Sequence, residues 1–329
     1  MKTPLSYFPD ELLLLVAGFL ERESDINALA RTDRQFYSLP NPYLYRHNAL
    51  TCGSSALFWA AARGSEVTAR FCVSEGANVE AIDEDGRTPL SSAVMSGQEA
   101  MAKVLLEYTR VDPDLKDSDG FSSLSLAASN GHETLVKLLL EIERVDADCK
   151  ASDGRTPLSS AAWNGHEAVV KLLLATGRVD LNLMHCYNES ILTQVARNSH
   201  ASTAKLLLET GRVDIDSRDT SGCSPLARAA SEGHESVVKL LLATGGEDVN
   251  SKDTWGNTTL TQAACEGHEV IVKLLLDTKQ VEINSRDSDG QKPLSNAAEE
   301  GRTSVVKLLL ATGRVDVDAK DLHGVTPLG

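Results

Sequence analysis

Aromatic side chains are scarce in this chain: six Phe, six Tyr and three Trp, or 5% of 329 residues. Large antiparallel sheets draw on aromatic and β-branched residues, so a β-sandwich is not expected. Positive charge is also short. Thirty-two Lys and Arg stand against forty-seven Asp and Glu, a net charge of -15. Nucleic acids and anionic membranes attract proteins through a basic field, so neither is an expected partner, whereas a basic protein surface is. Long apolar runs are missing. The longest, Leu12 to Leu20, follows Asp10 and Glu11 and falls well short of the ~20 residues of a membrane span. No basic leader precedes it and no small-residue cleavage site follows, so no signal peptide is expected. The six cysteines, Cys52, Cys72, Cys149, Cys186, Cys223 and Cys265, form no CxxC pair. Reduced, packed thiols in an intracellular protein, cytoplasmic or nuclear, are expected rather than a disulfide framework or a zinc site.

What the chain does have is a period. Gly86, Gly120, Gly154, Gly222, Gly256, Gly290 and Gly324 lie 34 residues apart or twice that, Gly53 stands 33 before Gly86, and Asn188 takes the place of the missing glycine. Such spacing marks a stack of supersecondary units. Eight full units start near residues 53, 86, 120, 154, 188, 222, 256 and 290, and a truncated ninth starts at 324, where a capped end would be expected instead. In the unit from Gly154, Thr156 is placed to cap a helix with Pro157 at its first position, where the missing N–H costs nothing. Ala161 and Ala162 allow close approach of a neighbouring helix, and Gly165 ends the first one. His166 to Leu174 reads as a second, more apolar helix closed by Gly177. Glu167 and Lys171 stand in the favourable i,i+4 order, which predicts an ion pair. The same pair recurs at Glu99/Lys103, Glu133/Lys137, Glu235/Lys239 and Glu269/Lys273.

The openers Gly86-Arg87-Thr88-Pro89-Leu90 and Gly154-Arg155-Thr156-Pro157-Leu158, with Gly267-His268 and Gly301 at the helix–helix turn, resemble ankyrin repeats over residues 53–329. The resemblance implies an all-α solenoid of helix-turn-helix units with β-turn fingers. It also carries departures. Ser91, Ser125, Ser159 and Ser295 stand where the family has His after T-P-L, so its loop hydrogen bonds must be made differently. The unit from Asn188 opens Glu189-Ser190-Ile191-Leu192 and lacks the turn glycine, which reads as drift or as a softer joint.

A single helix pair cannot bury its Leu/Val face, so neighbours stack and share a core. At ~8–10 Å between packed helices, eight units would make a curved rod of roughly 80 Å. The resemblance places partner contacts on the concave face: the finger tips, the residue after the finger glycine, and the two residues before the helix–helix turn. The candidates there are Arg63, Met95, Phe121, Asn130, Arg155, Trp163, Asn164, Tyr187, Arg197, Glu232, Trp255, Glu266, Glu299 and Glu300. Phe121, Arg155, Trp163, Tyr187 and Arg197 combine aromatic and Arg side chains, the usual hot-spot types. Trp163 is alternatively set to stack on Arg197 of the next unit. The glutamates make the C-terminal half acidic, either a solvated face or a dock for a basic flank.

Residues 1–50 do not follow the period and read as three short helices. Phe8-Pro9-Asp10-Glu11-Leu12-Leu13, then Asp25-Ile26 and Leu29, then Phe36-Tyr37 and Leu44-Tyr45, resemble an F-box segment, with Phe8 for the usual Leu and Tyr45 near the usual Trp. The resemblance implies recruitment of the adaptor Skp1 through Phe8, Pro9, Glu11, Leu12, Leu13, Val16, Ile26 and Leu29. The same residues could instead cap the first repeat.

Catalytic signatures are not found. His132, His166, His200, His234 and His268 recur every 34 residues as turn residues, spaced too widely to share one metal ion. No HExxH, G-x-S-x-G or G-x-x-x-x-G-K-[ST] occurs. No catalytic residue, metal or cofactor is expected. The favoured reading is a monomeric, non-catalytic adaptor that joins a target protein to a Skp1–cullin ubiquitin ligase. An ankyrin scaffold without that link is the alternative, and an enzyme or ligand sensor would need a pocket of convergent titratable groups.

Overall fold

The computed structural model describes residues 54–185 and 188–327. The F-box-like candidates Phe8 to Leu29, Tyr187, Cys52 and Cys186 lie outside them. The described residues form sixteen α-helices and no strand; one isolated antiparallel bridge joins Lys252 to Thr258. The chain divides into two compact units, Met1–Ser152 and Asp153–Gly329.

Among the described residues, the first unit holds three helix pairs: α1 Ser55–Arg63 with α2 Glu66–Ser74, α3 Pro89–Met95 with α4 Glu99–Leu106, and α5 Ser123–Ser129 with α6 Glu133–Leu140. The second holds five: α7 Pro157–Trp163 with α8 Glu167–Ala175, α9 Ile191–Arg197 with α10 Ala201–Glu209, α11 Pro225–Ser231 with α12 Glu235–Thr244, α13 Thr259–Glu266 with α14 Glu269–Asp277, and α15 Pro293–Glu299 with α16 Thr303–Ala311. Within each unit, first helices pack on first helices and second on second. Leu90, Leu124, Leu158, Leu192 and Leu226 are fully buried at one register of the first helices, and Leu105, Leu139, Leu173 and Leu207 at one register of the second. The flanking alanines, such as Ala161 and Ala162, are buried too, which brings neighbouring first helices close.

Local chemistry starts six of the eight described first helices; α1 and α15 have no side-chain cap. Thr88, Ser122, Thr156, Ser190, Ser224 and Thr258 each accept a hydrogen bond from the amide three residues on. Two of the serines that replace the family's His, Ser91 and Ser159, complete this cap. Ser91 Oγ accepts from the Thr88 amide at 2.8 Å, and Ser159 Oγ does the same for Thr156. The degenerate unit keeps the geometry without its glycines, because Asn188 (φ 53°) and Ser199 (φ 62°) adopt the left-handed conformation themselves. Its helices match their neighbours in length, which favours drift over a softer joint.

Of the expected i,i+4 pairs, Glu133–Lys137, Glu167–Lys171 and Glu235–Lys239 form at 2.7, 2.5 and 3.6 Å. Glu99–Lys103 and Glu269–Lys273 do not close to ion-pair distance. All of these side chains are solvated, where such a pair is worth only ~0.3–0.5 kcal/mol, too little to hold two long chains in one rotamer.

The periodic histidines tie repeats together. Nε2–H of His200, His234 and His268 donates to the carbonyls of Trp163, Arg197 and Ser231 in the preceding repeat, at 2.8, 2.7 and 2.8 Å. A carbonyl only accepts, so the proton sits on the imidazole nitrogen. In the last joint Arg302 Nε makes the equivalent bond to Cys265 at 2.7 Å. His200→Ala should therefore destabilise by about 1 kcal/mol, and His200→Arg should lose less. Urea unfolding of the two variants, side by side, checks this.

Candidate functional site

Most fingers are built around an aspartate three residues before the glycine; Ala151 and His185 stand there in the fourth and fifth repeats. Asp117 accepts from the amides of Asp119 and Phe121 on the same Oδ1, at 3.1 and 2.8 Å, and Asp219, Asp253 and Asp287 repeat the arrangement. The amide and carbonyl of the aspartate close the loop against the residue four later and the glycine. Successive fingers then stack: the amides of Thr254, Ser288 and Leu322 donate to the carbonyls of Ser221, Trp255 and Asp289. In three repeats of the second unit the residue after the finger glycine, or after Asn188 in its place, meets the far end of its own first helix, eight positions on.

That meeting is the central feature of the site. Arg155 stacks over the Trp163 ring at 5.9 Å. Glu189 Oε1 pairs with Arg197 Nη1 at 2.6 Å. Gln291 Nε2 donates to Glu299 Oε2 at 2.8 Å. The expected stack of Trp163 on Arg197 is thus corrected: Arg197 is held by the buried Glu189, so the indole takes the cation of its own repeat. Arg155 is itself anchored by Asp153 at 2.6 Å. Burial alone would raise the Asp153 carboxyl, but the Arg155 amide, its guanidinium and their charge outweigh it and leave the group below the ordinary range.

The other candidates fall as follows. Arg63, Met95 and Asn130 are exposed in the first unit, and Phe121 is half-buried there. In the second, Asn164, Glu232, Glu266, Glu299 and Glu300 are exposed. The asparagines are partly spent on structure, since Asn130 and Asn164 donate side-chain N–H to the carbonyls of Leu126 and Ser160 and finish their own helices. Trp255 stands 59% exposed at a finger tip. Burial, with the nearby charges of Glu266 and Glu300, pushes up the Cys265 thiol, which places those glutamates around one helix end.

Buried charge was not foreseen from the sequence. Glu189, at 4% side-chain exposure, pairs with His185 Nε2 at 3.1 Å as well as with Arg197. Asp219, at 1%, holds Arg228 at 2.6 Å. The only advance signal for Glu189 is a carboxylate in the slot that the other full repeats fill with Ser, Arg, Phe, Cys, Asn or Gln. Among the described residues no group of His, Cys, Asp and Glu is arranged to hold a metal ion, and no helix is long and apolar enough to cross a membrane.

No curated protein matches the chain significantly. The family model described as ankyrin repeats in three copies matches residues 35–117, 109–185, 175–253 and 244–321. With helix pairs, fingers and periodic core all in place, the chain belongs to the ankyrin repeat family, whose members are in general non-catalytic modules that bind other proteins.

Proposed function

We propose that the second unit holds a target protein on the side where finger residues meet first-helix ends. Arg155 and Trp163 form the anchor, and Glu232, Glu266, Glu299 and Glu300 face a basic flank of the target. The observation that supports this reading is the stacked Arg155–Trp163 pair, fixed from beneath by Asp153. A preorganised aromatic–cation surface loses little side-chain freedom on binding, and Trp and Arg dominate interface energetics.

The test is affinity enrichment with mass spectrometry from cells of the source organism. The full chain should retain a target that the Arg155→Ala/Trp163→Ala double variant loses by at least tenfold. A target retained equally by both would remove the anchor from this surface.

The proposal extends to residues 1–45 as the Skp1-recruiting segment of a ubiquitin-ligase adaptor, supported by the Phe8-Pro9-Asp10-Glu11-Leu12-Leu13 opener and Asp25-Ile26. The second reading, a scaffold whose N-terminal residues cap the array, is favoured by one observation: the family match begins at residue 35, inside that segment. Purified Skp1 separates the two. Binding by the full chain that disappears in Pro9→Ala/Leu12→Ala supports the adaptor, and no binding by the full chain leaves the scaffold.

A further inference from the structure

Three arginines of the second unit, in consecutive repeats, are each held by a carboxylate of their own repeat. Asp153 holds Arg155 Nε, Glu189 holds Arg197 Nη1 and Asp219 holds Arg228 Nε, all at 2.6 Å. In the fifth and sixth repeats the acid is the buried member. The side chains of Glu189 and Asp219 are 4% and 1% exposed, against 37% for Arg197 and 19% for Arg228. Arg155 is partly exposed too and lies over the Trp163 ring.

The pairs form one row. α7 packs on α9, and α9 on α11. His185, which bonds Glu189, lies within electrostatic reach of Asp153, and Glu189 within reach of Arg228. A guanidinium carries several N–H donors and no acceptor. Each of these three spends one nitrogen on its carboxylate, and the others bond nothing among the described residues.

The cation at 228 exceeds what its finger needs. In the seventh and eighth repeats the same register holds Gln262 and Asn296, whose side-chain N–H groups serve Asp253 and Asp287 at 2.8 and 3.0 Å. A neutral amide therefore does for those fingers what Arg228 does for the sixth. The registers of Arg155 and Arg197 also lose their cations there, to Asn257 and Cys265 and then to Gln291 and Glu299. The exposed charges on those helix ends are Glu266, Glu299 and Glu300.

Building on the target site proposed above, we infer that it takes a linear peptide segment of the target with opposite charge at its two ends. An aromatic residue packs against Arg155 and Trp163, and an Asp or Glu beside it is bound by the free N–H groups of Arg155, Arg197 and Arg228. Lys or Arg residues follow over the seventh and eighth repeats. Arginine favours carboxylates through paired N–H groups, and a guanidinium already anchored on one side loses little freedom when a second carboxylate arrives. The change of sign along the surface fixes the direction in which the segment runs. The glutamates would repel a polyphosphate chain, so the acid is that of a protein.

Selection of a random peptide library displayed on phage, against the immobilised full chain, tests this. Peptides that bind the wild type but not Arg155→Ala/Trp163→Ala should share an Asp or Glu close to a Phe, Tyr or Trp, with Lys or Arg on one side only. Replacing that acid by its amide in a synthetic peptide should weaken binding at least about tenfold, the loss of one charge-assisted hydrogen bond. Arg228→Gln copies the bond that serves Asp253 and so keeps the finger, and it should narrow the gap between acid and amide, as should Arg155→Gln. Enriched peptides without an acid, or a gap unchanged in both variants, would overturn the inference. So would a library that yields no peptide dependent on Arg155 and Trp163. The target site itself fails only if the enrichment from cells retains its target equally in the double variant.

Discussion

Gly120→Ala is expected to destabilise the first unit by about 3 kcal/mol, combining ~1–2 kcal/mol for a left-handed alanine with ~1–3 kcal/mol of overlap. Gly120 sits at φ 83°, and a Cβ there would lie 2.6 Å from the Ser152 amide nitrogen and 3.1 Å from the Ala151 carbonyl carbon. These neighbours are backbone, so no rotamer change relieves the contact. The Ser152 amide is also committed, donating to the Asp119 carbonyl at 2.9 Å. Moving the loop aside would break the stacking of one finger on the next. Gly76 is the control in the same unit. Its φ is 97°, but a Cβ there meets nothing within 4 Å, so Gly76→Ala should show only the conformational cost. The urea midpoints of the two variants decide the matter, and equal losses would mean that the finger contact yields.

The second large effect is at Glu189. Arg197→Ala would leave a carboxylate at 4% exposure with His185 as its remaining side-chain hydrogen-bond partner and the charge of Arg228 nearby. Removing one partner of a buried pair costs about 3–5 kcal/mol, most of it the uncompensated charge. Arg197 is 37% exposed, so part of its interaction is screened and a value near 3 kcal/mol is expected. Glu189→Leu alone should cost less, because Arg197 can turn to solvent. The double variant should recover most of the Arg197→Ala loss. Denaturant unfolding of the four proteins gives the coupling directly, and a double variant no more stable than Arg197→Ala would count against a charge penalty.

The two cases divide along the line between local and tertiary information. The need for glycine at position 120 was legible as a period, and so were the caps at Thr156 and Ser190, because a cap reaches three residues and a turn four. The stacking of the helices that carry Leu90 and Leu124, and of those that carry Leu158 and Leu192, was legible too, since a helix pair with one apolar face must find a neighbour. The partner of Trp163 was not. Residues 155 and 163 are neighbours only after the finger has folded back on its helix, and no helical or strand spacing brings i and i+8 together. The histidines likewise read as turn residues, and their bonds to carbonyls 37 positions earlier exist only between stacked repeats.

Aligning the repeats on one another shows Glu247 in a valine column. It does not show whether the carboxylate escapes to water there, since an acid at a loop register usually does. The sequence by itself determined the repeat, the helix boundaries, the acidic charge and the absence of catalytic signatures, because each rests on contacts within a few residues or on composition. Which side chains meet was decided by the tertiary structure alone. Desolvation and pairing depend on what the folded chain places within a few ångströms, and it is that placement that buried Glu189 with two partners and shielded both oxygens of Glu247 from solvent.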